Sequence, residues 1–236
     1  MNISKLLRAP QRLVSLGWSI LCLPKARLLF YTDIFPEKIK CQYALFTRRH
    51  PRFPMIKNKT IGIALIDLSN FNSPADYVAT VKKKDFAGHH GKQAKKRGYS
   101  VRRIDRNHHL AEIFRIHNSA GARQGRPMDP HYQKLETSFD DTGPFQSYGV
   151  FNGDGILMGY CSFGVYGNFA ATDRLLGIKT TDGIMYLLLL EIVCTLIDKS
   201  QLEYFMYDTF LGAQPGLRSF KRRVGFQPYR ASYKII

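Results

Sequence analysis

The sequence predicts an α+β fold in which helices flank a mixed, mostly antiparallel sheet. A short apolar run at Ile61–Asp67 is typical of a buried strand. Three β-rich runs within residues 145–178 are separated by glycine-containing turns at 153–155 and 167–168, which indicates an antiparallel meander. Residues 183–199 form a helix that is apolar on nearly all sides, and such a helix requires a sheet to cover it.

Size and charge set the first limits on function. The chain has 236 residues and is 44% hydrophobic, which suits a globular domain with a buried core. It carries 35 Lys and Arg against 18 Asp and Glu, a formal net charge of +17. This excess predicts an anionic partner, and nucleic acid, phospholipid headgroups and a phosphorylated cofactor are the alternatives.

The cysteines are scattered and include no close pair: Cys22, Cys41, Cys161 and Cys194. This pattern indicates a reducing, cytoplasmic location without a disulfide framework, and it indicates no zinc site.

The N-terminal part differs from the rest. Residues 1–58 contain several prolines and no sustained periodicity, so we expect a basic, amphipathic and irregular extension before a domain at 59–236. Its opening is positively charged, its apolar stretch is too short to span a bilayer, and residues 22–24 make a poor signal-peptide cleavage site. Residues 1–30 therefore either pack on the domain or lie on an anionic membrane surface.

A basic run follows the first strand and a helix that begins at Ser73 and Pro74. The run Lys82–Arg106 holds ten Lys or Arg against two Asp, a net charge of +8. It is either a solvated helix face or a surface that binds tRNA or another polyanion. His89 and His90 lie within it without cysteine or clustered acidic residues, so no metal site is expected.

A strand at residues 99–104 is followed by an amphipathic helix that Asn107 is expected to cap and that ends at Gly121. The polar loop after it contains three bidentate hydrogen-bond donors, Arg123, Gln124 and Arg126. Such a loop either contacts the substrate or forms a surface turn. Tyr160 in the meander and Thr209 near the C-terminus are further candidate substrate contacts.

The C-terminal part repeats the alternation of helix and strand. Thr181 or Asp182 is expected to cap the apolar helix, and the strand LEYFMYDTF comes next. The loop LGAQPG, the basic helix LRSFKRR and the final strand FQPYRASYKII complete the chain.

This order of elements, over about residues 60–236, resembles the GNAT superfamily of N-acetyltransferases. The similarity is clearest in LRSFKRRVGFQPYR, residues 217–230, where an aromatic-containing helix, a Gly-Phe turn and a closing strand follow one another. The sequence is also similar to the FemABX-like aminoacyltransferases, a branch of the same fold that uses aminoacyl-tRNA. This similarity lies in two stretches, SPADYVATVKKKDFAGHHGKQAKKRGY and GLRSFKRRVGF.

The resemblance implies a donor site at the start of the apolar helix, formed by Lys179, Thr180, Thr181 and Gly183. Members that use acetyl-CoA usually have Arg or Gln, two residues, Gly, one residue, and Gly or Ala here, where backbone N–H groups bind pyrophosphate. The stretch LLGIKTTDGIMY lacks the full loop and places Asp182 at its mouth. Acyl-CoA, acyl-carrier protein and aminoacyl-tRNA all remain candidate donors, the last two being favoured.

The resemblance also implies the catalytic residues. Tyr207 and Asp208 end the strand that borders the cleft in this superfamily, so Tyr207 is a candidate proton donor and Asp208 a candidate base or amine anchor. Lys221 has a Phe-Lys context like that of a FemABX lysine and is a candidate for stabilising negative charge.

Two functions are therefore expected from the sequence. The first is an acyltransferase that moves an acyl or aminoacyl group from a thioester or an aminoacyl-tRNA to an amine. The alternative is a non-catalytic protein of the same fold that binds nucleic acid or a membrane.

Overall fold

The computed structural model of the protein describes residues 20–33, 35–49, 57–123, 126–127, 130–199 and 201–236. Eight strands form the main sheet: β1 (Lys25–Phe30), β2 (Ile61–Asp67), β3 (Ser100–Ile104), β6 (Phe145–Phe151), β7 (Leu157–Val165), β8 (Phe169–Gly177), β9 (Tyr204–Thr209) and β10 (Gln227–Ile235). Two further strands, β4 (Ala122–Arg123) and β5 (Arg126–Pro127), pair as a small hairpin.

The strand order in the sheet is β1-β10-β2-β9-β8-β7-β6-β3. Strands β1 and β10 are parallel, as are β8 and β9, whereas the other neighbours are antiparallel. The expected mixed, mostly antiparallel sheet is therefore confirmed, as is the meander β6-β7-β8.

Among the described residues, six helices cover the sheet: α1 (Pro36–Thr47), α2 (Pro74–Thr80), α3 (Ala87–Lys96), α4 (Leu110–Asn118), α5 (Ile184–Asp198) and α6 (Pro215–Val224). Helices α2, α3, α5 and α6 lie on one face, and α1 and α4 lie on the other. The two-residue repeat of a strand explains this division. Ala64 and Ile66 of β2 face α5, whereas Ile63 and Leu65 face α1.

Helix α5 is the centre of the larger core, and nine of its residues are buried. The prediction of an apolar helix packed on a sheet is confirmed. Within the parts of the chain that the structure describes, no helix is long and apolar enough to cross a membrane.

The expectation of an irregular extension at residues 1–58 is wrong for the part that is described. Strand β1 pairs with β10, and α1 places Phe46 5.7 Å from Phe30 between ring centroids. Pro36 occupies the first turn of α1, where a missing N–H has no cost, so the proline marks a helix start. Residues 1–19, which make up most of the segment expected to bind membrane, lie outside the described residues.

One of the three cap predictions is confirmed. The Ser73 side chain accepts a hydrogen bond from the Asp76 N–H at the start of α2. Asn107 does not cap α4, because it lies in a 3₁₀ turn at Arg106–His109, and α4 ends at Asn118. Neither Thr181 nor Asp182 caps α5, since Gly183 takes that position with no side-chain hydrogen bond.

Candidate active site

The candidate site lies where the parallel strands β8 and β9 separate. Their registered pairs run from Phe169 with Tyr204 to Ala171 with Met206, yet β8 continues to Gly177 and β9 to Thr209. A cavity of about 490 Å³ opens between the separating ends. In open sheets, ligands bind where strand ends leave a crevice of this kind.

Five parts of the chain form the cavity wall, and one of them is Ala120 with Ala122 at the start of the β4-β5 hairpin. Residues 177–180 extend β8, residues 183–186 begin α5, and Tyr207 comes from β9. Leu217 and Phe220 of α6 close the opposite side. The expected donor residues Lys179, Thr180 and Gly183 thus all reach one cavity with Tyr207, whereas Thr181 does not line it.

The start of α5 supplies the polar end of the cavity. Gly183 has a φ of 75°, and a Cβ there would approach Cβ of His90 to 2.9 Å, so only glycine fits without strain. Because no side chain caps this helix, its first N–H groups are available to a ligand. Helix N-termini carry a partial positive charge that favours anions.

The acidic residue beside this helix start is paired. Asp182 accepts hydrogen bonds from Arg97 Nη1 at 2.6 Å and from the Tyr99 hydroxyl at 2.8 Å. These two contacts therefore reduce the negative potential that Asp182 contributes to the cavity. An unpaired carboxylate at Asp182 would repel a phosphate-bearing donor, and this pairing reduces the repulsion.

Tyr207 presents its ring to the cavity on the α5 side of the sheet. The ring packs against Phe226 at 5.7 Å between centroids and lies 4.2 Å from Lys221 Nζ. Burial raises the pKa of the Tyr207 phenol well above its usual value, so the group keeps its proton at neutral pH. It can therefore donate a hydrogen bond or a proton to a group in the cavity.

Lys221 lies behind the wall and is 1% exposed. Its Nζ donates to the carbonyl oxygens of Tyr207 at 2.7 Å and Thr209 at 2.6 Å, which ties α6 to the end of β9. Burial lowers the pKa of this ammonium to about 8, and the Asp208 carboxylate opposes that shift. Its side chain is not among those that line the cavity.

Asp208 lies on the opposite face of the sheet from Tyr207, on the side of α1, where Nζ of its partner Lys59 lies 4.7 Å from the centre of the Phe46 ring. Its φ of 48° is left-handed, and its carboxylate lies 3.2 Å from Lys59 Nζ with about half of the side chain exposed. Thr209 is half-buried and pairs with Ile63 of β2. Neither Asp208 nor Thr209 lines the cavity.

The other predicted substrate contacts are placed apart from Tyr207. Tyr160 is fully buried on the α4 side, where its hydroxyl and His117 Nε2 are 2.8 Å apart, so it does not reach the cavity. Arg123 and Arg126 are backbone partners in the β4-β5 hairpin, next to the cavity-lining Ala122. Gln124 lies outside the described residues.

Two aromatic residues of the cavity, Tyr186 and Phe220, were not predicted from the sequence. They line the cavity with ring centroids 4.7 Å apart, and His90 stacks on Tyr186 at 4.6 Å with an interplanar angle of 13°. Burial lowers the pKa of His90, which favours the neutral ring. The one available signal was Tyr186 itself, an aromatic residue in an otherwise aliphatic helix.

The basic run Lys82–Arg106 does not form one surface. Three of its arginines are engaged locally: Arg97 with Asp182, Arg106 with Asp141, and Arg102 over the Phe151 ring at 3.9 Å. Its lysines are all exposed: Lys82, Lys83, Lys84, Lys92, Lys95 and Lys96. The charge available to a partner is therefore concentrated on α3 and on the turn before it.

Metal chemistry has no evident site in the described ranges. They contain no group of three or more His, Cys, Asp or Glu residues that is placed to hold a metal ion.

Comparison with known proteins gives a result at the level of the fold. No protein-family model matches the sequence, and no curated protein does. Among solved structures, FemX superposes with a TM-score of 0.55 at 10% identity, covering 71% of this chain and 59% of FemX. The chain therefore has a fold like that of FemX.

Other solved structures are similar at lower scores. The C-terminal domain (DUF2156) of a putative lysylphosphatidylglycerol synthetase from Agrobacterium fabrum has 16% identity and a TM-score of 0.49, covering 70% of this chain and 57% of that one. The PaiA N-acetyltransferase from Thermoplasma acidophilum, in complex with coenzyme A, has 15% identity and a TM-score of 0.44. The match covers 53% of this chain and 87% of PaiA. The chain spans less than two thirds of FemX and of the synthetase domain.

Proposed function

We propose that the protein is an acyltransferase that moves an acyl or aminoacyl group from a thioester or an aminoacyl-tRNA to an amine. The observation that carries this proposal is the separation of β8 and β9, which opens a cavity between the start of α5 and Tyr207. Residues 59–236 supply this cavity, and β1 adds an edge strand to the sheet next to β10.

The donor is proposed to enter with its phosphate groups toward the start of α5. The uncapped N–H groups at Gly183 and the nearby Lys179 favour an anion there, and the pairing of Asp182 with Arg97 removes the nearest opposing charge. Acyl-CoA, an acyl-carrier protein and an aminoacyl-tRNA share this phosphate chemistry. They remain the three donor candidates, and Arg123, Gln124 and Arg126 are proposed to contact the substrate from the hairpin.

The transfer itself requires three events. The neutral amine of the acceptor attacks the donor carbonyl carbon, a tetrahedral oxyanion forms, and the thiol or ribose hydroxyl departs with a proton. Tyr207 is proposed to give that proton, because its phenol stays protonated at neutral pH and its ring lines the cavity. The acceptor nitrogen loses a proton as the amide forms, and that proton returns to the tyrosine either directly or through a water molecule.

Lys221 and Asp208 are proposed to act on Tyr207 rather than on the substrate. Lys221 fixes the end of β9 through two carbonyls and places positive charge near the developing oxyanion. Asp208 offsets that buried charge from the far face of the sheet, where Lys59 holds it. Both are positioning residues in this proposal.

The partners predicted from charge also remain proposals. The exposed lysines of the basic run are proposed to bind an anionic partner, tRNA being one candidate, and residues 1–30 are proposed to contact an anionic membrane surface. A cytoplasmic location in contact with an anionic membrane surface is consistent with both proposed partners.

The proposal is tested by incubating the full chain with three radiolabelled donors: acetyl-CoA, an acylated carrier protein and a pool of aminoacylated tRNA. A mixed set of primary amines, containing polyamines and peptides, serves as acceptor. Formation of a labelled amide with any one donor supports the proposal and identifies the donor class.

A pair of variants assigns the reaction to the cavity. Leu217→Trp narrows the cavity and is expected to remove both the amide product and any thermal shift caused by the donor. Leu135→Trp, at a position that is 58% exposed and distant from the wall, is the matched control. If no donor yields an amide while polyanion binding persists, the protein is the non-catalytic binding protein instead.

A further inference from the structure

A second opening lies beside the middle of α5 and is separate from the proposed active site. It is a groove of about 480 Å³ between α2, α3 and α5, which we call the lysine groove. Its floor contains Val78 of α2 and Leu190 and Cys194 of α5, and its rim contains Lys92, Lys95 and Lys96 of α3. None of these residues takes part in the proposed acyl transfer.

Two glycines of α3 create the groove. A Cβ at Gly91 would approach Leu190 Cδ2 to 2.8 Å, and a Cβ at Gly88 would approach the Val81 carbonyl oxygen to 2.9 Å. The missing Cβ atoms let α3 lie close to α5 at Gly91 and close to the end of α2 at Gly88, and both glycines line the groove. The floor therefore consists of apolar side chains and bare helix backbone.

The rim has a net positive charge, because three lysines line the groove against one acid, Glu191. Lys92 and Lys96 are four residues apart on α3, so they project from the same face of the helix. Lys95 is paired with Glu191 at 2.7 Å, whereas Lys92 and Lys96 have no ion pair among the described residues. Lys82, Lys83 and Lys84 add charge at the turn before α3.

An apolar floor under a cationic rim matches an amphiphile with an anionic head. We propose that the lysine groove binds an anionic phospholipid at a membrane surface, with one acyl chain on the Val78, Leu190 and Cys194 floor and the phosphate at Lys92 and Lys96. Burial of the chain supplies affinity through the hydrophobic effect, and the two lysines select an anionic head.

Nucleic acid fits this groove less well. A single strand binds by stacking its bases on aromatic rings along a basic track, and no aromatic ring lines the lysine groove in the described residues. A duplex contacts protein through its phosphates and has no use for an apolar floor. Positive charge alone would attract both a nucleic acid and an anionic phospholipid, so the apolar floor is the feature that favours the phospholipid.

Cys194 is a reporter inside the groove. Burial raises the pKa of its thiol to about 11, so its alkylation by iodoacetamide is slow and is best followed at pH 9 by peptide mass spectrometry of the full chain. Short-chain phosphatidylglycerol below its micelle concentration is expected to slow Cys194 alkylation at least five-fold. Inorganic phosphate, short-chain phosphatidylcholine and single-stranded RNA are expected to leave the rate nearly unchanged.

Matched charge variants test the rim. Lys92→Gln with Lys96→Gln is expected to raise the phosphatidylglycerol concentration needed for half-protection about ten-fold. Lys134→Gln with Lys234→Gln removes the same charge from exposed sites elsewhere and is expected to change it less than two-fold. An effect of equal size in both pairs would show binding by net charge alone and would overturn the proposal.

Val78→Trp tests the floor independently of charge. The larger ring is expected to occupy the groove, so phosphatidylglycerol protects Cys194 only weakly while all six lysines remain. Full protection in this variant, absence of protection in the unmodified protein, or equal protection by RNA would each contradict a phospholipid site. Sedimentation with phosphatidylglycerol vesicles in the same variants provides a second reading that does not depend on the thiol.

Discussion

The two openings beside α5 are built in different ways. The cavity at the start of α5 exists because β8 and β9 stop pairing, and it is bounded by backbone ends, glycine and aromatic rings. The lysine groove exists because two glycines bring α3 close to α5 and to the end of α2, and its positive charge is carried by long, exposed lysine side chains. The cavity can hold an acyl donor in a fixed position, as catalysis requires. The lysine groove, with its long side chains, suits binding to a variable surface.

The largest expected effect concerns Tyr207. Tyr207→Phe removes the proposed proton donor but keeps the ring, so the rate of amide formation is expected to fall about 100-fold or more. Thermal stability is expected to change little, because the ring contacts with Phe226 remain. Steady-state kinetics with the donor identified by the screen measures the rate.

Tyr204→Phe is the matched control, since Tyr204 lies on the same strand, packs on the opposite face of the sheet and does not line the cavity. It is expected to retain the activity of the unmodified protein. Equal losses in the two variants would mean that β9 is sensitive to any change and that Tyr207 has no chemical role.

The next effect is on stability and depends on pH. The pKa of Lys221 is lowered to about 8 in the folded state from 10.5, so between these values the unfolded chain binds more protons and folding becomes more favourable as pH rises. Relative to Lys221→Met, the unmodified protein is expected to gain about 2 kcal/mol between pH 7.5 and 9.5. Urea unfolding at the two pH values measures this gain.

A pH-independent difference between the unmodified protein and Lys221→Met would contradict the burial of a charged ammonium. The variant is also expected to be less stable throughout, because the Tyr207 and Thr209 carbonyls lose their donor.

Gly183→Ala tests whether the cavity and the lysine groove act independently. A left-handed φ and the short approach to His90 predict a loss of about 1–2 kcal/mol and a displaced start of α5. Donor affinity is expected to fall several-fold, whereas phosphatidylglycerol protection of Cys194 stays unchanged. Thermal unfolding and the two binding assays measure these effects, and loss of both activities would show that the openings are not independent.

The smallest effect is expected at Asp208. Asp208→Asn breaks a half-exposed ion pair with Lys59, which is worth less than about 1 kcal/mol. Activity is expected to fall less than about ten-fold, since the side chain lies on the far face from the cavity. A loss as large as that of Tyr207→Phe would instead make Asp208 the base considered in the sequence analysis.

The sequence predicted the elements whose signals are local. The meander, the apolar helix α5 and strands β2 and β9 follow from periodicity and turn residues alone. Strand β1 was missed because its partner β10 lies some 200 residues away and because its neighbouring prolines suggested irregular structure. The caps at Thr181 and Asp182 failed because Arg97 and Tyr99, distant in sequence, occupy the Asp182 carboxylate.

The candidate site could be predicted only in part. Lys179, Thr180, Gly183 and Tyr207 were named from the sequence, and the structure brings them to one cavity. Tyr160 was named as well, but its neighbour Cys161 faces α5 while Tyr160 faces α4, and no local signal fixes that choice of face. Tyr186 and Phe220 join the site through packing between helices, which the pattern of either helix alone does not reveal.

Hydrogen exchange with bound donor tests most directly whether the separated strands form the active site. With the donor identified by the screen, amides in residues 177–187 and at the end of β9 are expected to exchange more slowly, while residues 88–96 beside the lysine groove keep their rates. Slower exchange confined to the lysine groove, or unchanged exchange around the cavity at saturating donor, would contradict the proposal.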